Sequence, residues 1–174
     1  MSILKETAAG FKVQTELGQP DFEASAVPVS TDQRYVINSP MKIAGVKLPM
    51  TCLAVGNPHT VIVVDDFDFD WQALGADLET AELFPNGTNV EFVKRMKSNH
   101  FRVAEWERGA GATGSSGTGA GAVTAAMVTL GLADRTCDIE FDYGILTVHW
   151  NAETDMLELT GPVVPIMRGT ASYE

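Results

Sequence analysis

The sequence predicts an α+β fold in which a mostly antiparallel β-sheet or barrel wraps around one central apolar helix, about Gly119–Leu132. Three observations carry this. Short alternating or β-branched runs recur along the chain, as strands of a half-buried sheet do. The segment Gly119–Leu132 is apolar on nearly all sides, so it belongs inside the molecule. Its alanines and glycines are small enough to pack closely against surrounding strands. With 174 residues and 45% apolar content, residues 1–174 have room for a single domain with a sizeable core.

In chain order, Phe11–Leu17 alternates apolar and polar residues, the pattern of a half-buried strand. A loop-rich stretch follows around Pro20, Pro28 and Pro40, with short extended pieces such as Tyr35-Val36-Ile37. Gly56-Asn57-Pro58-His59 reads as a turn feeding the buried strand Thr60–Val64. Trp71, Leu74, Leu78 and Ala81 share one face of a helix over Asp70–Phe84, with Asp70 as its N-cap and Pro85-Asn86-Gly87 as its end. Asn89–Met96 and His100–Trp106 form a strand pair across Lys97-Ser98-Asn99. Gly131 is the stop signal of the central helix. Beyond it, the strands Ile139–Phe141 and Ile145–Trp150 flank Asp142-Tyr143-Gly144, and Met156–Thr160 is the last strand.

The formal charge of −11 argues against nucleic acid and anionic membranes as partners, because both need a basic face. The cluster Asp65-Asp66-Phe67-Asp68-Phe69-Asp70 reads as solvated surface, since it lacks the glycine and terminal Glu of a calcium loop. No metal is expected. Cys52 and Cys137 are too few and too isolated for a disulfide framework or a zinc site, and read as small buried hydrophobes. No apolar run approaches a membrane span, and Met1–Glu6 lacks the apolar segment of a secretory signal, so the expected location is the cytoplasm.

The most informative stretch is Trp106–Ala122, which runs from a strand end through a glycine-rich loop into the apolar helix. Such a junction offers unpaired N–H groups and the positive end of a helix dipole, a ready anion site. Glu107 and Arg108 stand just upstream, on opposite faces of an extended strand, so separate partners are expected for them. Ser115 and Ser116 lie inside the loop. His59 is displayed on a turn at the mouth of a strand, where functional groups tend to sit. His100 and His149 lie in alternating strand patterns and read as packing or surface residues, and Asn89 opens a strand as a turn residue does.

Together the segments Ala54–Ile62, Thr88–Phe92, Trp106–Gly111 and Gly117–Ala120 resemble the C-terminal half of diaminopimelate epimerase, in the same order and spacing. Leu159-Thr160-Gly161-Pro162 fits that family too, and Thr7-Ala8-Ala9-Gly10 looks like its crossover out of an N-terminal domain. The resemblance implies a cofactor-independent, PLP-independent amino-acid isomerase of lysine biosynthesis that interconverts LL- and meso-diaminopimelate. It implies two pseudo-symmetric domains closing over the substrate, each lending one cysteine for proton transfer. His59 and Glu107 become the polar partners that tune those cysteines. Asn57, Asn89, Glu107 and Arg108 become the residues that hold the distal groups of the substrate. The N–H groups of Gly117 and Thr118 become the cradle of the reacting carboxylate.

Three departures follow from the same comparison. The cysteine of this half falls at Ser116, and a hydroxyl, a far weaker acid than a thiol, cannot supply a standing base. Ala112 stands where the family often has Glu. The N-terminal domain is also absent from the sequence, so the partners expected are a small amino-acid substrate and either that domain or a second copy of the chain. The chain alone is expected to be an impaired or inactive isomerase. Two other readings remain open: a non-catalytic amino-acid-binding domain, and a related PLP-independent racemase or dehydratase using Ser116 as acid.

Overall fold

The computed structural model describes residues 1–8, 10–43, 45–167, 169–170 and 172, so Ala9 of the Thr7–Gly10 motif lies outside the described residues. The strands are β1 (Ser2–Thr7), β2 (Gly10–Gly18), β3 (Ser39–Ile43), β4 (Val46–Ala54) and β5 (Pro58–Val63). After α1 (Trp71–Glu79) come β6 (Asn89–Lys97), β7 (His100–Glu107) and the short β8 (Gly111–Ala112). The second helix, α2 (Gly117–Thr129), leads to β9 (Thr136–Phe141), β10 (Gly144–Trp150) and β11 (Leu157–Val163).

All the strands join one sheet in the order β1-β2-β11-β10-β9-β7-β6-β5-β4-β3, with β8 pairing β7 off that path. Pairing is antiparallel except for β5–β6 and β7–β9. The sheet is open, not a closed barrel: β1 and β3 are its two edges. It nevertheless curls around α2, which packs against β2, β4, β5, β6, β9, β10 and β11. The nine consecutive residues Gly119–Met127 are all buried, as an all-round apolar helix requires.

Strand alternation divides the core into two layers. Leu53, Val61, Val93, Phe101, Val103, Ile139 and Leu157 face α2. Their neighbours Cys52, Ile62, Val90 and Phe92 face the other way, toward Leu78 of α1 and toward Val27 and Val36 of the long loop.

Several boundaries differ from the sequence expectation, each for a local reason. α1 ends at Glu79 because the segment to Phe84 continues as turns, with Ala81 donating to the Leu78 carbonyl and Phe84 to that of Ala81. Its N-cap is Asp70, whose carboxylate accepts from the Ala73 N–H at 3.0 Å. α2 begins two residues before the expected Gly119, since Gly117 and Thr118 form its first turn. It closes at Gly131, whose φ of +70° lets the N–H groups of Gly131 and Leu132 reach the carbonyls of Val128 and Met127. β3 runs through Pro40, inside the stretch expected to be loop, and pairs with β4. Pro40 sits on an edge strand, and Pro49 lies beyond the stretch of β4 that pairs β5, so neither breaks a ladder.

Candidate active site

The chemistry gathers at the N-terminus of α2. Ser116 is extended (φ −143°, ψ 133°) and caps the helix, its Oγ accepting from the Gly119 N–H at 3.1 Å. The Ala120 N–H goes to the Ser116 carbonyl. The N–H groups of Gly117 and Thr118 find no acceptor among the described residues. Two outward donors on a positive helix end make this a site for an anion.

Strand parity brings the remaining polar groups to the same end. Val61, Val93 and Val103 face α2, so residues two positions away on β5, β6 and β7 face it too: His59, Glu91 and Glu105. Asn89 and Glu107 continue those rows. His59 and Glu91 are wholly buried and joined by a 2.5 Å contact between Nδ1 and Oε1. His59 Nε2 donates to Asn57 Oδ1 at 2.9 Å, which fixes the ring with Nδ1 turned toward Glu91. Burial pushes the Glu91 carboxyl up, against the pull of His59, and its Oε2 has no partner.

Asn89 staples two turns together. Its Nδ2 donates to the Pro58 carbonyl at 3.0 Å, and its Oδ1 accepts from the Arg108 N–H at 2.8 Å. Glu107 accepts a hydrogen bond from Thr113. Arg108 is exposed and donates to the Asn86 carbonyl at 3.0 Å, so Glu107 and Arg108 do have separate partners. Glu79, at the end of α1, accepts from Trp106 Nε1 at 2.6 Å and from the Gly109 N–H at 2.7 Å. That carboxylate holds the 106–111 turn in place.

Glu105 is 2% exposed, and neither of its carboxyl oxygens has a hydrogen-bond partner. Burial, with the charges of Glu91 and Glu107, pushes it up to about 9; the nearby Ser116 hydroxyl pulls the other way, without making a hydrogen bond of ordinary geometry. Sequence reading passed over Glu79, Glu91 and Glu105. Strand parity held the signal for the last two, because each falls on the core-facing row of an otherwise apolar strand.

The other sequence candidates lie elsewhere. Cys52 faces the outer core and Cys137 the far side of α2; burial pushes their thiols up to about 12 and about 11, so both stay protonated. His100 pairs with Glu140 and His149 with Thr136. The Asp65–Asp70 run is a surface loop, and among the described residues no group of three His, Cys, Asp or Glu side chains converges on a metal-sized space.

A family model described as diaminopimelate epimerase matches residues 51–166. The chain belongs to the diaminopimelate epimerase family. It is 35% identical over 168 residues to a diaminopimelate epimerase of Desulforapulum autotrophicum, covering 96% of this chain and 59% of that protein. A second, from Caldanaerobacter subterraneus subsp. tengcongensis, is 37% identical over 158 residues, covering 90% and 57%. The chain thus spans less than two thirds of the length of these relatives. The fold is that of a PhzF-family protein of Bacillus anthracis (TM-score 0.56, 15% identity) and of a predicted epimerase of Pseudomonas aeruginosa (0.53, 15%), each covering 94% of this chain and 61% of the other.

Proposed function

We propose that this family member is one half of a cofactor-independent amino-acid isomerase, acting at the α-carbon of diaminopimelate in lysine biosynthesis. The observation that carries the proposal is the pair of N–H groups on Gly117 and Thr118, unpartnered among the described residues, at the same end of the sheet as His59, Glu107 and Ser116. Those donors fit an α-carboxylate, and a carboxylate bound there is stabilised further as the α-carbon loses its proton and charge spreads onto its oxygens. Asn57 and Arg108 lie on the adjoining turns and Asn89 opens β6 between them, where they serve the distal amino and carboxylate groups.

His59 and Glu107 tune the proton-transfer group of this wall, which is Ser116. A hydroxyl releases its proton far less readily than a thiol, so the chain alone is a weak epimerase. Inversion needs a second acid or base on the opposite face of the α-carbon, supplied by a partner domain or a second copy.

The test is deuterium incorporation at the α-carbon of diaminopimelate in D2O. Slow exchange by the chain and much faster exchange by Ser116→Cys are expected. Binding of diaminopimelate without exchange in either protein would instead make the chain an amino-acid-binding module.

A further inference from the structure

The roles just assigned leave Glu105 unused. It stands on β7 directly across the β6–β7 ladder from Glu91 and two residues before Glu107. At 2% exposure, with both oxygens unpartnered, it is a cost to the fold that an apolar side chain in the same place would avoid.

Its direction is set by a glycine. A methyl group on Gly119 would lie 2.6 Å from Glu105 Oε1 and 3.1 Å from Ser116 Cβ. The carboxyl therefore reaches the first turn of α2, beside Ser116, only because residue 119 has no side chain. Ser116 Oγ already accepts from the Gly119 N–H, so its own hydrogen is free to give.

Resting on the isomerase reading above, we infer that Glu105 is the proton-relay partner of Ser116, a positioning residue that holds the proton moved at the α-carbon and returns it through the Ser116 hydroxyl. In the forward step, open to molecules in which Glu105 has given up its proton and so favoured as pH rises toward about 9, Ser116 Oγ takes the α-proton while its own hydroxyl proton passes to the Glu105 carboxylate. The C–H electron pair stays on the substrate. The hydroxyl is regenerated and Glu105 becomes neutral, and the return step reverses each transfer without any further reactant.

The surroundings suit that task. Glu91, itself on His59, and Glu107 face the carboxyl from β6 and β7, and Ser116 faces it from α2. Together with burial they bring its proton affinity to about 9, close to the roughly 8.5 of a free thiol. The β7 edge beside Glu105 is also open. β7 pairs β9 only as far as Arg102 and β8 only from Trp106, leaving the Val103–Glu105 edge unpaired. A cavity of about 260 Å³ opens there, walled by Arg102, Glu105, Thr113, Gly114, Asp142 and Tyr143.

The experiment measures α-deuterium exchange on diaminopimelate by the full chain, as wild type, Glu105→Gln, Ser116→Cys and the double variant. Gln has the shape and neutrality of the protonated acid, so a purely structural Glu105 would tolerate it. The relay predicts that Glu105→Gln slows exchange by about 100-fold or more. It also predicts that the variant loses the rise in rate toward pH about 9, and that Ser116→Cys rescues it, since a thiol holds its own proton. In the free protein, the infrared carbonyl band of a protonated carboxyl should vanish in Glu105→Gln and shift in Ser116→Ala.

Wild-type exchange by Glu105→Gln, or a retained pH rise, overturns the relay. Exchange by Ser116→Cys but not by wild type overturns it too, while the isomerase reading stands. If no variant exchanges, the isomerase reading fails, and the infrared band alone decides: movement in Ser116→Ala keeps the Glu105–Ser116 pair, and an unmoved band ends it.

Discussion

The two ends of α2 are surrounded by the same strands, yet they are built on opposite principles. Along the α2-facing row of β7, Phe101 and Val103 give way to Glu105 and Glu107; along β6, Val93 gives way to Glu91 and Asn89. At the C-terminal end Gly131 and Leu132 close the last carbonyls, and the packing is apolar. At the N-terminal end two helix N–H groups stay open, and carboxyl oxygens of Glu91 and Glu105 are buried without partners. One end is arranged for stability. The other buries ionisable groups that stability alone would discard, which is where chemistry is expected.

Substitutions at the two ends should separate these roles. Phe101→Ala at the apolar end should have the largest effect, costing about 3–5 kcal/mol in urea unfolding. It should leave exchange per folded molecule unchanged.

Next comes pH. The folded chain keeps the Glu105 proton up to about 9, whereas the unfolded chain releases it near 4.5. The folded state therefore binds more protons between those values. Stability is full below about 4.5 and is lost as pH rises toward about 9. Glu91 acts in the same direction. Unfolding free energies at pH 5 and pH 9 should differ by a few kcal/mol in the wild type, and by clearly less in Glu105→Gln. Equal pH dependence in both proteins would sink the assignment of a raised carboxyl to Glu105.

The smallest effects come from the caps. Ser116→Ala removes the hydrogen bond to Gly119 and should cost about 1 kcal/mol. Gly131→Ala forces a side chain onto φ +70° and should cost about as much. Only the first should change α-exchange, so the pair compares the two ends at nearly equal loss of stability.

Much of this contrast was legible in the chain. The central helix, Asp70 as a cap, Gly131 as a stop and the glycine-rich loop all follow from local preferences, because capping, periodicity and left-handed turns depend on a few neighbouring residues. The motifs around Asn57, His59, Asn89, Glu107, Arg108 and Gly117 could likewise be picked out one by one. Pro40 misled, because whether a proline breaks a ladder depends on which edge its missing N–H faces. The open sheet, with its two parallel pairs, was also out of reach, since strand order is not a local property.

Three things needed the assembled fold. Glu91 meets His59 across 32 positions of sequence. Glu79 secures the Trp106–Gly109 turn from another helix. Glu105 touches the first turn of α2 through the space left by Gly119. Local sequence sets which residues can cap, turn or alternate, because those energies are short-ranged. Which carboxyl ends up buried beside which hydroxyl depends on strand order and register, and so does the proton affinity that burial imposes. Only tertiary packing decides those.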